Sequence, residues 1–156
     1  EYGTEVKIKE VTKTYDDGRM DIKTEGVSVF RVEDFQNPWK ENVYAGGPVK
    51  FLDVKNDLDP KLHLLIVSLC RELFEWLHME EEISITDKTS MYEVIHKLGL
   101  KLEEEYLLLK MKSQRKRQCY VIEHLENLIP ALERAEKAKE KIRMNGHFKH
   151  FNPLKF

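Results

Sequence analysis

The sequence predicts an α+β fold in which a small sheet precedes a helical bundle that ends in one long helix. Three observations carry this reading. Apolar residues alternate with period two in the first third of the chain. Five of the seven glycines fall at or before Gly47. From Pro60 onward, apolar residues recur at intervals of three and four. The expected division is a β-rich part over 1–58 and a helical part over 59–156.

In the first part, Val6-Lys7-Ile8-Lys9 alternates as a half-buried strand does. Asp16-Asp17-Gly18 is a hairpin signal, because glycine tolerates the positive φ of a tight turn. Met20, Ile22 and Thr24 resume the alternation, so the two runs form an antiparallel pair. At Gly26 the apolar positions shift from Val27 and Val29 to Phe30 and Val32, the phase slip of a β-bulge. A third extended run is expected over Asn42 to Val54. It is broken by Gly46-Gly47-Pro48, whose proline confines it to an edge or an irregular strand.

Asp59-Pro60 opens the first helix with an N-cap and a proline at the first helical position. Leu62, Leu65, Ile66, Leu69, Cys70, Leu73, Phe74 and Leu77 give it one broad apolar face, widened by Leu64, Val67 and Trp76. Glu80-Glu81-Glu82 is expected to end it in solvent. Ser90 with Glu93 is a capping box for a short helix closed by Gly99. Leu102 to Lys112 reads as another short helix with Tyr106, Leu107 and Leu109 inward. The last helix is expected from about Gln114 to Met144, kinked at Pro130 and closed by Asn145-Gly146. The two phenylalanines before Pro153 and the terminal Phe156 suit a docked tail.

Lys plus Arg total 26 and Asp plus Glu 28. That balance argues against a general polyanion binder, which carries a basic surplus. The charge is uneven, however. Residues 1–58 carry 9 basic and 12 acidic side chains, residues 59–112 carry 7 and 11, and residues 113–156 carry 10 and 5. Any nucleic-acid role therefore rests on the last segment, with Arg115, Lys116 and Arg117 as its basic partner surface. Macrodipole complementation explains Lys137, Lys139, Lys141 and Arg143 near the helix end. It does not explain Arg115 to Arg117, which need acidic neighbours or an anionic partner. Cys70 and Cys119 read as reduced core thiols of a cytoplasmic protein. No run reaches the ~18 apolar residues of a membrane span.

No catalytic residue is assigned. There is no GxSxG, HExxH, P-loop or GxGxxG. Ser68 and Cys70 lie in the most apolar helix, and Glu103-Glu104-Glu105 reads as a solvated helix end. His124, His147 and His150 lack the further ligands of a zinc site, so neither metal nor cofactor is expected. Phe35, Trp39 and Tyr44 fall in a Pro- and Gly-containing loop and are the peptide-binding candidates.

Gly3-Thr4-Glu5-Val6, then Asp17-Gly18-Arg19-Met20-Asp21-Ile22, then Glu25-Gly26-Val27 and Phe30-Arg31-Val32 follow one another within 35 residues. Their order and spacing resemble the Lon protease N-terminal domain family, the substrate-binding domain of ATP-dependent protease La. Gly3, Thr4, Asp17, Gly18, Arg19, Gly26, Phe30 and Arg31 carry the resemblance as structural positions. His96-Lys97-Leu98-Gly99-Leu100-Lys101-Leu102 is similar to the family's helical half. The resemblance implies a PUA-like β pseudo-barrel whose N-terminal part is absent from this chain, followed by a helical bundle. It also implies a stand-alone domain, of a type known in bacteria, without the ATPase and Ser-Lys protease modules. Without the upstream strands, the sheet is expected to expose an unpaired edge that invites dimerisation. The implied function is non-enzymatic binding of unfolded or partner polypeptides, and the alternative is RNA binding through the basic C-terminal helix.

Overall fold

The computed structural model describes residues 1–79 and 85–147, the last three by backbone alone. It is a mixed α/β structure with a three-stranded antiparallel sheet and a long C-terminal helix. The chain forms two compact units. One comprises Glu1–Asn56 with Leu102–Gln114, and the other begins at Asp57–Lys101 and resumes at Arg115. The short helix after Lys101, which in sequence order stands with the bundle, thus groups with the sheet. Among the described residues, no helix is long and apolar enough to cross a membrane.

In the sheet unit, β1 (Tyr2–Thr14) and β2 (Met20–Val32) form a long hairpin closed at Gly18, whose φ is 84°. The Asp17 carboxylate accepts from the Arg19 backbone N–H at 3.2 Å and its guanidinium at 2.7 Å, which pins the turn. The slip expected beside Gly26 is present, with Val27 as the extra residue between the Glu5–Ser28 and Val6–Gly26 rungs. Two further bulges, at Lys9 and Thr12, carry no glycine to announce them. The third strand is shorter than expected: β3 is only Val49–Phe51, paired with Val32 to Phe30. Pro48 has no N–H to donate, and the preceding residues bond among themselves instead of extending the sheet.

Two of the family-like positions have a steric reason. The Phe30 ring lies over Gly3, where a Cβ would come within 2.7 Å of its Cζ. The same ring meets Phe51 edge-on, with centroids 6.1 Å apart. Helix α3 (Leu102–Lys110) belongs to this unit through Tyr106, whose hydroxyl accepts the Tyr2 N–H at 3.0 Å. A parallel bridge between Lys55 and Ser113 fastens its far end, with Lys55 N–H donating to Lys112 C=O at 2.9 Å. Its buried residue is Leu108; Tyr106 and Leu107, expected inward, are exposed. Four consecutive apolar residues, 106–109, do not by themselves select a face.

In the helical unit, α1 (Pro60–Trp76) starts at Asp59, whose carboxylate accepts the Lys61 N–H at 2.9 Å. It buries Ile66, Val67, Cys70, Leu73 and Phe74, while Leu64 and Leu65 face out. It ends before the glutamate run 80–82, which lies outside the described residues. Helix α2 (Met91–Val94) has the full Ser90/Glu93 capping box, continues as a 3₁₀ turn to Lys97, and closes at Gly99 with φ 73°. Helix α4 (Gln114–His147) adds Val121, Ile122, Leu125 and Ile129 to the core and runs through Pro130. At ~1.5 Å per residue it is about 50 Å long. Asn145 and Gly146, expected as its C-cap, lie inside it. The glycine preference there is worth only ~1 kcal/mol against helix. The expected docked tail falls beyond the described residues.

Gln118, almost fully buried on α4, clamps the start of α1. Its side-chain oxygen accepts the Asp59 N–H at 2.9 Å, and its side-chain nitrogen donates to the Asp59 C=O at 3.0 Å. We expect Gln118→Leu to destabilise the chain by about 1–3 kcal/mol, because the Asp59 N–H loses its partner while the Asp59 carbonyl keeps only the His63 N–H. Denaturant unfolding measures this. The two cysteines differ: Cys70 is buried and Cys119, expected in the core, is exposed. The inward positions of α4 are 118, 121, 122 and 125, which leave 119 outside. Burial pushes the Cys70 thiol up to about 11. An acid whose folded pKa is raised stabilises the fold below its unfolded value of 9.0, and that contribution is lost as pH rises toward 11. One thiol should therefore react quickly with an aromatic disulfide in the native protein, and Cys119→Ser should remove that reaction. Cys70 should react only with unfolding, which itself becomes easier between pH 9 and 11.

Candidate functional site

The loop between β2 and β3, residues 33–48, folds as a narrow ladder of its own. Glu33 N–H donates to Pro48 C=O at 3.0 Å, Gln36 and Gly46 exchange two bonds of 2.9 Å, and Trp39 N–H donates to Tyr44 C=O at 2.8 Å. The Asp34 carboxylate accepts from the Phe35 N–H and the Gln36 side-chain amide, each at 2.9 Å. Two glycines permit the close approach of the arms. A Cβ on Gly47 would lie 2.0 Å from the Asp34 carbonyl oxygen, and one on Gly46 would lie 2.9 Å from the Trp39 ring.

The ladder sorts the three aromatic candidates. Trp39 is half-buried against Gly46, with the Lys40 ammonium 4.9 Å from its ring, so it holds the loop together. Phe35 is 65% and Tyr44 61% exposed, and Val43 at the tip is fully exposed. The loop thus presents apolar side chains on a hydrogen-bonded frame. Contact with another polypeptide can bury them at little cost in loop ordering.

The helical unit contains a separate cleft of about 360 Å³ that the sequence did not single out. Leu58, Pro60, Met91 and Tyr92 give it apolar walls, and His63 and Lys88 also line it. Most of its polar groups already have partners: Gln118 holds Asp59, His63 Nε2–H donates to the Asp87 carbonyl at 2.8 Å, and Ser90 Oγ caps Tyr92 N–H at 3.4 Å. Its lining comes from three separated stretches of chain. The only signals of its position are the Asp-Pro and Ser-x-x-Glu caps at its edges.

The basic cluster at the start of α4 has found acidic and aromatic neighbours. Arg117 is 7% exposed, and its Nη1 donates to the Tyr92 hydroxyl at 3.0 Å. The Arg115 backbone N–H donates to the Asp57 carboxylate at 3.1 Å, and its guanidinium lies 3.9 Å from that of Asp59. Lys116 is exposed. Farther along, Lys137 pairs with Glu133 and Lys139 with Glu136. His124 donates from Nε2 to the Leu98 carbonyl at 2.8 Å. Among the described residues, no three His, Cys, Asp or Glu side chains converge as metal ligands would.

No family model matches the chain, and no curated protein matches it. Among solved structures, it is similar to the crystal structure of a Lon N-terminal domain protein from Xanthomonas campestris. The identity is 22% and the TM-score 0.48, over 83% of this chain and 66% of that one. That neighbour carries the name of the family which the motifs of residues 2–35 resemble.

Proposed function

We propose that this chain is a non-enzymatic protein- or peptide-binding module of the Lon N-terminal domain type, working in the cytoplasm of a bacterium. Its sheet would form part of a PUA-like pseudo-barrel, and its ligands would be unfolded or partner polypeptides. The observation that carries this reading is the braced loop with Phe35, Val43 and Tyr44 exposed on it. The motif resemblance supports it from the sequence side. The RNA alternative draws less from the geometry, because Arg117 is buried and the Arg115 guanidinium lies 3.9 Å from the Asp59 carboxylate.

Saturable binding of a reduced, permanently unfolded protein is expected in the ~micromolar range of transient interfaces. Phe35→Ser with Tyr44→Ser should weaken it about tenfold or more while leaving the melting temperature nearly unchanged. Fluorescence anisotropy with a labelled unfolded substrate reads both. Binding that ignores the double substitution, or no binding by the folded domain, would sink the proposal. Raising salt from 50 to 200 mM should matter little to this binding; saturable binding of a labelled RNA that falls a hundredfold or more over the same range would favour the RNA reading.

The frame itself is testable as well. Gly47→Ala places a methyl group against the Asp34 carbonyl, so the ladder has to open. Destabilisation of ~1–3 kcal/mol is expected, with a change in Trp39 fluorescence. Substrate affinity should fall although no aromatic residue has been removed.

A further inference from the structure

The cleft of the helical unit takes no part in polypeptide binding by the loop, and its lining comes from that unit alone. Leu58 to His63 lead into α1, Lys88 to Tyr92 lead into α2, and Gln118 belongs to α4. At about 360 Å³ the cleft stands at the small end of ligand pockets. A cavity of ~150 Å³ takes a benzene ring, so this one has room for about two groups of that size. Met91 is buried in it, while Leu58 and Tyr92 keep about half of their surface open.

The polar groups of the lining sort the ligands. Gln118 commits its side-chain oxygen and nitrogen to Asp59. The Asp59 carboxylate accepts the Lys61 N–H and lies 3.9 Å from the Arg115 guanidinium. Ser90 Oγ accepts the Tyr92 N–H, and the Tyr92 hydroxyl accepts from Arg117. The charged group left over is the Lys88 ammonium, which has neither hydrogen bond nor ion pair among the described residues. A sugar, a nucleotide or an internal peptide segment would leave water for a wall whose polar groups are already engaged. Charge narrows the choice further. Lys88 repels a cation, and a dianion such as a phosphate would need several donors and would meet Asp59. We propose that this cleft binds a small apolar monocarboxylate. Its aromatic or aliphatic body would lie among Leu58, Pro60, Met91 and Tyr92, and its carboxylate at the Lys88 ammonium.

The cation stands on a braced loop. The Lys88 N–H donates to Thr86 Oγ1 at 3.3 Å, and the Thr86 N–H donates to Thr89 Oγ1 at 3.0 Å. Arg71 of α1 donates to the Ile85 carbonyl and, at 2.8 Å, to the Asp87 carboxylate. His63 Nε2–H holds the Asp87 carbonyl. The backbone carrying Lys88 is thereby tied to the helix that supplies Pro60 and His63 to the lining. Only the lysine side chain remains to be ordered when a carboxylate arrives.

Titration of the full chain with phenylacetate and with octanoate, followed by NMR, tests this. At least one of the two acids should bind with a dissociation constant of ~0.1–1 mM, and the Met91 methyl and Tyr92 ring signals should shift most. Phenylacetamide and octanamide keep the apolar body without the charge and should bind about tenfold more weakly or not at all. Lys88→Met should lower the affinity for the acid to that for its amide and leave the amide unchanged. Leu58→Glu sets a carboxylate on the wall and should weaken the acid about tenfold or more, with circular dichroism as the check on folding. No binding of either acid up to ~10 mM, amides that match the acids, or Lys88→Met without effect would each overturn the site. Tighter binding of acetyl-Gly-Gly-Phe than of phenylacetate would also overturn it, in favour of polypeptide C-termini.

Discussion

Asp59 holds four bonds at the point where the helical unit begins. Its carboxylate caps α1 at the Lys61 N–H, its own N–H goes to Gln118, and its carbonyl accepts from both Gln118 and the His63 N–H. The side chain of Gln118 is thereby committed on both atoms to one residue of another helix. A buried amide with donor and acceptor both satisfied fixes rotation as well as distance. That bond pair ties the start of α1 to α4 in the unit that buries Ile66, Cys70, Leu73, Phe74, Val121, Leu125 and Ile129. Asp59 and Gln118 also line the cleft beside Met91 and Tyr92, and Arg117 donates to the Tyr92 hydroxyl there.

Local chemistry made much of the fold legible. The Asp59-Pro60 start, the Ser90/Glu93 box, Gly99 as a stop and the turn at Gly18 are each decided within a few residues, and each stands where its signal placed it. The signals weaken where distant residues decide. Tyr106 is turned to Tyr2, more than a hundred residues away, which takes its hydroxyl and meets its ring edge-on. The loop before β3 closes on itself instead of extending because Gly47 lets the backbone reach within a Cβ of Asp34.

The candidate surfaces divide in the same way. Aromatic residues in a loop with Pro and Gly were visible as a type, and two of the three are exposed. That Trp39 serves the frame while Phe35 and Tyr44 face out depends on Gly46, whose missing side chain makes room for the indole. Arg115 and Arg117 stood out as cations at the wrong helix end. Their side-chain neighbours, Asp59 and Tyr92, come from packing that no spacing rule contains. Gln118 gave no signal at all, since a glutamine on a helix is ordinarily a surface residue.

The grouping of α3 with the sheet has a consequence for synthesis. The sheet unit is discontinuous: its last piece, Leu102–Gln114, leaves the ribosome only after Asp57–Lys101 has been made. The hairpin can close early from local pairing, but Tyr2 waits for Tyr106 and Lys55 for Ser113. Each unit therefore depends on residues made after part of the other has emerged. A cut near residue 58 would separate the strands from the helix that completes them.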